Sequence, residues 1–196
     1  MGAQEHFAEI ITDTGARRIN FQLGGLSVTA SGLARVAQAL RGRRITVYRY
    51  AGLPDDVTAE YKVERNALLV RAYSPDLFRS ISSRAAIVHE CVHALIDLNR
   101  ATATTHLTGE AAAYLAQGLY RLLHGDRFRE WARANRSEDV GRIFYEAIQL
   151  IDRFNLQTHS AALTWQDYTS LRDAVHRHPR YQDVSSTDLH GADGIP

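Results

Sequence analysis

Between Ala85 and Leu98 the chain is largely apolar, yet it carries two histidines and a glutamate in the run His89-Glu90-Cys91-Val92-His93. No other stretch limits the fold as tightly. Residues four apart share one face of an α-helix a single turn apart, so both imidazoles can reach the same ion, and this is the spacing used to hold zinc. Glu90 lies about 100° round such a helix from His89. That places its carboxylate beside the ion, where a general base would meet a water. Ser82 or Ser83 is expected to cap the helix, and apolar residues on several of its sides mean that it is buried. Buried imidazole and carboxyl groups without partners cost roughly several kcal/mol, and a metal would offset that. The competing reading is a pair of core histidines bonded to backbone carbonyls. With this composition the motif arises by chance in about one sequence in fifty, and its place in an apolar helix favours the metal.

A chain of 196 residues is long enough for one domain with a real core, and we read residues 1–182 as that domain and 183–196 as a flexible tail. Hydrophobic residues make up 45% and charged residues 23%, as in ordinary globular proteins, and the formal net charge of +1 gives no global attraction to nucleic acid or an anionic membrane. Cys91 is the one cysteine, so no internal disulfide exists, and we read it as a small core residue. The first residues, Met1 to Phe7, have neither a basic nor an apolar signal region, and no run is long enough to span a bilayer. The expected location is cytoplasmic, with export by a signal-independent route as the alternative.

Residues 1–30 contain short apolar runs broken by polar residues and Gly24-Gly25, and are read as extended pieces or loop. Ser31 is expected to cap a helix through Leu40, with Leu33, Val36, Ala37 and Leu40 on one face and Gly42 as its stop. Arg44 to Tyr50, rich in β-branched and aromatic residues, reads as a strand. After a turn around Gly52, Pro54 and Asp55-Asp56, the runs Thr58 to Glu64 and Ala67 to Tyr73 flank Arg65-Asn66 as an antiparallel hairpin ended by Pro75. Past the metal helix, residues 99–106 read as a loop and Thr108 as the cap of a helix ending near Gly125. Helical spacing then recurs over about 138–154 and 164–177. The fold class is α+β: a small antiparallel sheet with a backing helix, the motif helix, and a helical C-terminal half.

A catalytic zinc takes three protein donors and keeps one position for water, and the motif helix supplies two. Asp97 lies on the same face but about 12 Å further along, too far to share the ion; it is expected to brace a ligand histidine or to pair with Arg100. The extended metzincin pattern is absent, since Ile96 and Asn99 stand where it needs Gly and His. His106 and Glu110 remain, the bland alternative for Glu110 being an acidic residue that complements a helix dipole.

At this point the chain resembles the gluzincin group of zinc metallopeptidases, in which His-Glu-x-x-His is completed by a glutamate on the next helix. Glu110-Ala111-Ala112-Ala113-Tyr114-Leu115-Ala116 is similar to the Glu-x-x-Ala helix of compact members of the ImmA and IrrE type, and the likeness covers roughly residues 44–120. It implies a zincin-like fold, with His89, His93 and Glu110 as metal ligands, Glu90 as the catalytic base and Zn2+ as cofactor. Many gluzincins carry Asp or Asn four residues after the ligand glutamate to support a ligand histidine; this chain has Tyr114 there. For an oxyanion-stabilising residue the candidates are Tyr145, His159, Tyr168, His176 and His178.

The implied function is hydrolysis of a peptide bond by metal-activated water, with an extended peptide or protein lying along an exposed sheet edge. Neither nucleic acid nor membrane is an expected partner. The alternative is a catalytically inactive, zinc-stabilised regulatory or protein-binding module.

Overall fold

The computed structural model describes residues 2–55, 57–71, 79–192 and 194–195. Asp56, and the strand end expected at Tyr73 and Pro75, lie outside them. The first helix, α1 (Ala3–Ile10), buries Phe7, Ala8 and Ile10 in a region read from sequence as extended. Its two turns carry too few apolar residues, and no side-chain cap, to announce themselves. Strands β1 (Asn20–Leu23) and β2 (Leu26–Thr29) form a hairpin whose two turn residues, Gly24 and Gly25, both have positive φ (58° and 88°). A two-residue hairpin loop needs that backbone, and glycine adopts it without steric cost.

Helix α2 (Ala30–Arg41) buries Leu33, Val36, Ala37 and Leu40 as its spacing predicts. Its cap is Thr29, whose hydroxyl accepts from the Gly32 N–H at 3.0 Å, and not Ser31. Strands β3 (Thr46–Arg49), β4 (Ala59–Lys62) and β5 (Ala67–Val70) make a second sheet in the order β3-β5-β4. The β4–β5 pair is antiparallel, turning through a left-handed Asn66 (φ 46°). The wholly antiparallel sheet expected from sequence is not what forms, because β3 pairs in parallel with β5. The reason lies in composition: Ala67-Leu68-Leu69-Val70 is buried throughout and takes the centre, where both faces are covered, leaving the more polar β3 and β4 at the edges. The first sheet is mixed as well, since β6 (Ala161–Leu163) joins β1 in parallel.

Helices α3 (Ile81–Leu98) and α4 (His106–Leu123) pack against each other along their length at the centre of the molecule. Ser80 caps α3, two or three residues before the serines expected, and its hydroxyl accepts from Ser83 N–H at 3.0 Å. Thr105, and not Thr108, caps α4. Small residues along α4 (Ala111, Ala112, Ala113, Ala116 and Gly118) let its neighbours come close, and nearly all of it is buried. Around it lie α5 (Phe128–Ala134), which the sequence reading missed, α6 (Asp139–Arg153) and α7 (Trp165–Arg177). A reciprocal capping box between Thr164 and Asp167 starts α7. The fold is therefore α+β, with two small mixed sheets flanking a mainly helical body.

The C-terminal segment, read from sequence as a flexible tail, lies here against the start of α4. His106 N–H donates to Asp188 O at 2.7 Å, His190 N–H to Thr104 O at 2.8 Å, and Leu189 bridges Thr105 in antiparallel fashion. Further on, Gly194 N–H donates to Asp97 Oδ1 at 2.7 Å.

Candidate metal centre

Because α3 is buried on nearly every side, its polar residues must find partners inside the protein. Asp97, fully buried, accepts from the Tyr61 hydroxyl at 2.6 Å and from Gly194 N–H. It ties β4 and the C-terminal segment to α3, and among the described residues these two bonds stand in place of the brace to His89 or His93, or the pairing with Arg100, expected from sequence. Cys91 is buried in the core, as read from sequence, and burial pushes its thiol pKa up.

His89 and His93 turn their Nε2 atoms toward each other, 3.3 Å apart. Across from them on α4, Glu110 places Oε2 3.5 Å from His89 Nε2 and Oε1 3.4 Å from His93 Nε2. These three buried residues offer ligand atoms that all lie within 4.8 Å of one another, close enough to hold a metal ion. The donor separations carry more information than their proximity. An ion with bonds of about 2.0–2.1 Å in tetrahedral geometry has donors about 3.3–3.4 Å apart; the two Nε2 atoms stand at 3.3 Å, and each has a different oxygen of Glu110 at 3.4–3.5 Å. Two imidazoles and one carboxylate are also a donor set suited to a first-row divalent metal. His106 comes within 3.6 Å of Glu110 Oε1 but is more exposed and stands outside the compact triad.

Each of these three side chains is held from behind. His89 Nδ1–H donates to Gln117 Oε1 at 3.0 Å, one turn beyond Tyr114 on α4. Tyr114 instead meets the His89 ring edge-on, with centroids 4.7 Å apart. The Tyr181 hydroxyl donates to Glu110 Oε2 at 2.9 Å, and His93 Nδ1 lies 3.1 Å from His190 Nε2. The supporting groups are thus Gln117, Tyr181 and His190, none of which the motif spacing indicates.

Burial dominates the electrostatics. It pushes His93 down to about 3, so the ring is neutral, the form that can donate a lone pair to a metal. Burial would raise Glu110, but the surrounding His93, His89 and His106 hold its carboxyl well below the usual range. Burial lowers His89 too, yet its bond to Glu110 and the charge of Glu90 win and raise it. Glu90 is pushed up to about 7 by burial, against the opposing pull of His89 and of its bond from Tyr61 N–H. That bond, 2.8 Å to Oε2, fixes the carboxylate, while Oε1 lies 3.9 Å from His89 Nε2.

These groups line one cavity of about 1070 Å³. One wall is β4 from Ala59 to Lys62, an edge strand with β5 on its other side. Tyr114, His178, Arg180 and Tyr181 line the same cavity, Arg180 Nη2 reaching to 3.8 Å of Glu60 Oε1 on β4. Of the residues considered from sequence for oxyanion stabilisation, His178 alone lines this cavity. Tyr168 is buried in the core, Tyr145 lines a separate depression, and His159 bonds Thr158 at the surface.

Comparison with protein-family models, with curated proteins and with solved structures finds no match to this chain. Among the described residues, no helix is long and apolar enough to cross a membrane.

Proposed function

We propose that the protein is a zinc-dependent peptidase in which His89, His93 and Glu110 hold the metal and Glu90 is the general base. The observation that carries this reading is the convergence of three buried residues whose donor atoms lie close enough to hold one ion, with a second carboxylate, Glu90, independently anchored and opening into the same cavity. The ligand set is the one expected of the gluzincin group that the motif resembles, and a zincin-like arrangement of strand, motif helix and glutamate helix accords with it. When bound, zinc supplies the positive charge that makes a water more acidic and polarises a carbonyl.

The remaining steps belong to the chain. The Tyr61 N–H engages Glu90 Oε2 and leaves Oε1 to take a proton from the attacking water. The hydroxyl oxygen bonds to the peptide carbonyl carbon, the C–N bond breaks, and Glu90 returns the proton to the departing amine. An extended substrate lies along the edge of β4 away from β5, using backbone groups other than the Tyr61 N–H for strand addition, and Arg180 and His178, which line the same cavity, supply donors.

Elemental analysis of the purified protein, together with cleavage of a peptide library by wild type and Glu90→Gln, tests the proposal. We expect about one zinc per chain in both proteins and a loss of about 10²–10⁴ in turnover in the variant. Equal turnover in the two would refute the role of Glu90. Full zinc content with no cleavage by either would point to a zinc-stabilised binding module.

A further inference from the structure

His190 is carried into the metal centre from the far end of the chain, 97 residues from the ring it meets. Its imidazole is buried, stacked 14° from parallel on His93 and 21° from parallel on His106. The backbone on either side is held, by the Leu189 bridge to Thr105 and the His190 N–H bond to Thr104 O. Helix α4 makes room for it: a Cβ on Gly109 would lie 3.0 Å from His190 Cδ2. The ring is therefore placed by its surroundings.

The proton inventory gives this placement a purpose. For His93 to offer Nε2 to an ion, the ring hydrogen must sit on Nδ1, and a buried N–H needs an acceptor. His190 Nε2 is the acceptor at hand, 3.1 Å away. The contact with His93 is the one hydrogen bond that the polar atoms of this ring make among the described residues; a His190 that accepts at Nε2 carries its own hydrogen on Nδ1, which is buried and has no acceptor there. His89 shows the same arrangement, with Gln117 Oε1 as the acceptor.

We propose that His190 is a positioning residue of the metal centre, accepting the Nδ1–H of His93 and so fixing the tautomer and ring orientation that leave Nε2 free for the metal. The C-terminal segment is on this view a working part of the site. The inference rests on the metal-site reading above but is separable from it.

Zinc affinity measured by competition with a chromophoric chelator, and the visible spectrum of the Co2+-substituted protein, test the idea in His190→Ala, His190→Phe and His190→Gln. Loss of the acceptor should weaken zinc roughly 10–100-fold in the Ala and Phe variants and alter the Co2+ bands. The Gln variant should regain most of the affinity and the wild-type bands, since its amide oxygen can take the same N–H. Phe keeps the stacking and the volume, so a folded Phe variant that binds like wild type would overturn the proposal. So would a Gln variant as weak as Phe, which would mark His190 as a ligand or a packing element. A wild-type protein that takes up neither zinc nor Co2+ would instead refute the metal centre itself.

Discussion

Asp97 joins three parts of the molecule, and its replacement should show how far the site depends on that junction. Its carboxyl group is fully buried in α3, accepting from the Tyr61 hydroxyl of β4 at 2.6 Å and from Gly194 N–H at 2.7 Å. In Asp97→Ala both donors lose this partner. Leaving a buried donor unsatisfied costs about 1–3 kcal/mol, but the two losses are unequal. Tyr61 keeps a second acceptor in Asn66 Oδ1 at 3.3 Å, so its loss falls at the low end. Among the described residues Gly194 N–H has no second acceptor, and the vacated carboxyl volume adds a small cavity. The sum is about 2–4 kcal/mol. Asp97→Asn retains one acceptor oxygen, and its amide can donate to the Tyr61 oxygen, so it should cost about 1 kcal/mol. At roughly 2–4 °C per kcal/mol for a domain of this size, Ala should lower Tm by about 4–16 °C and Asn by about 2–4 °C. Urea unfolding followed by circular dichroism, with an unchanged m-value, measures the free energies directly. An Ala variant within about 0.5 kcal/mol of wild type would refute the argument that this junction is closed by hydrogen bonds.

Other expectations concern the metal and the core. Added zinc at one hundred times its Kd should stabilise the protein by about 2.7 kcal/mol, raising Tm by roughly 5–11 °C, and EDTA should reverse it. In Glu110→Gln that increment should shrink or vanish while the metal-free fold persists, as scanning calorimetry would show. Gly24→Ala should cost about 1–3 kcal/mol, because φ is 58° and the new Cβ would lie 2.4 Å from the Tyr168 hydroxyl; Gly25→Ala, whose Cβ meets nothing, should cost less. Leu68→Ala, at the fully buried centre of β5, should cost about 2–5 kcal/mol by urea titration.

What the sequence makes legible follows from how local each signal is. The spacing of His89 and His93, the amphipathic faces of α2 and α6, and the antiparallel β4–β5 pair are all set by neighbours within a few residues, and the structure has them. Strand partnership across distance is not local, so the parallel pairing of β3 with β5 and of β1 with β6 could not be read. Short helices such as α1 and α5, with few buried residues each, leave too weak a periodicity. Around the metal centre the same rule holds. Glu110 needed a resemblance to be singled out, and Gln117, Tyr181 and His190 reach the ligands from 28, 71 and 97 residues away. A histidine in a polar, glycine-containing segment carries no mark of its destination.

The two glutamates that line the cavity stand in different surroundings. Glu110 is surrounded: the imidazoles of His89, His93 and His106 lie 3.4–3.6 Å from its oxygens, and Tyr181 donates to Oε2. The Tyr181 bond and the raised His89 stabilise the carboxylate and fix its orientation, as suits a group proposed to hold a metal. Glu90 has one donor, the Tyr61 N–H, and its other oxygen stands 3.9 Å from His89. That single backbone bond fixes where the group points without occupying both oxygens, as a proton-transferring group requires. The contrast arises from position. Glu110 faces α3 across the helix pair and meets both histidines, whereas Glu90, rotated about 100° from His89, faces the edge strand and takes its hydrogen bond from the Tyr61 backbone. An exchange of Glu90 for Gln therefore leaves the donor set for metal intact, and an exchange of Glu110 removes it, which is why the two substitutions separate chemistry from metal binding.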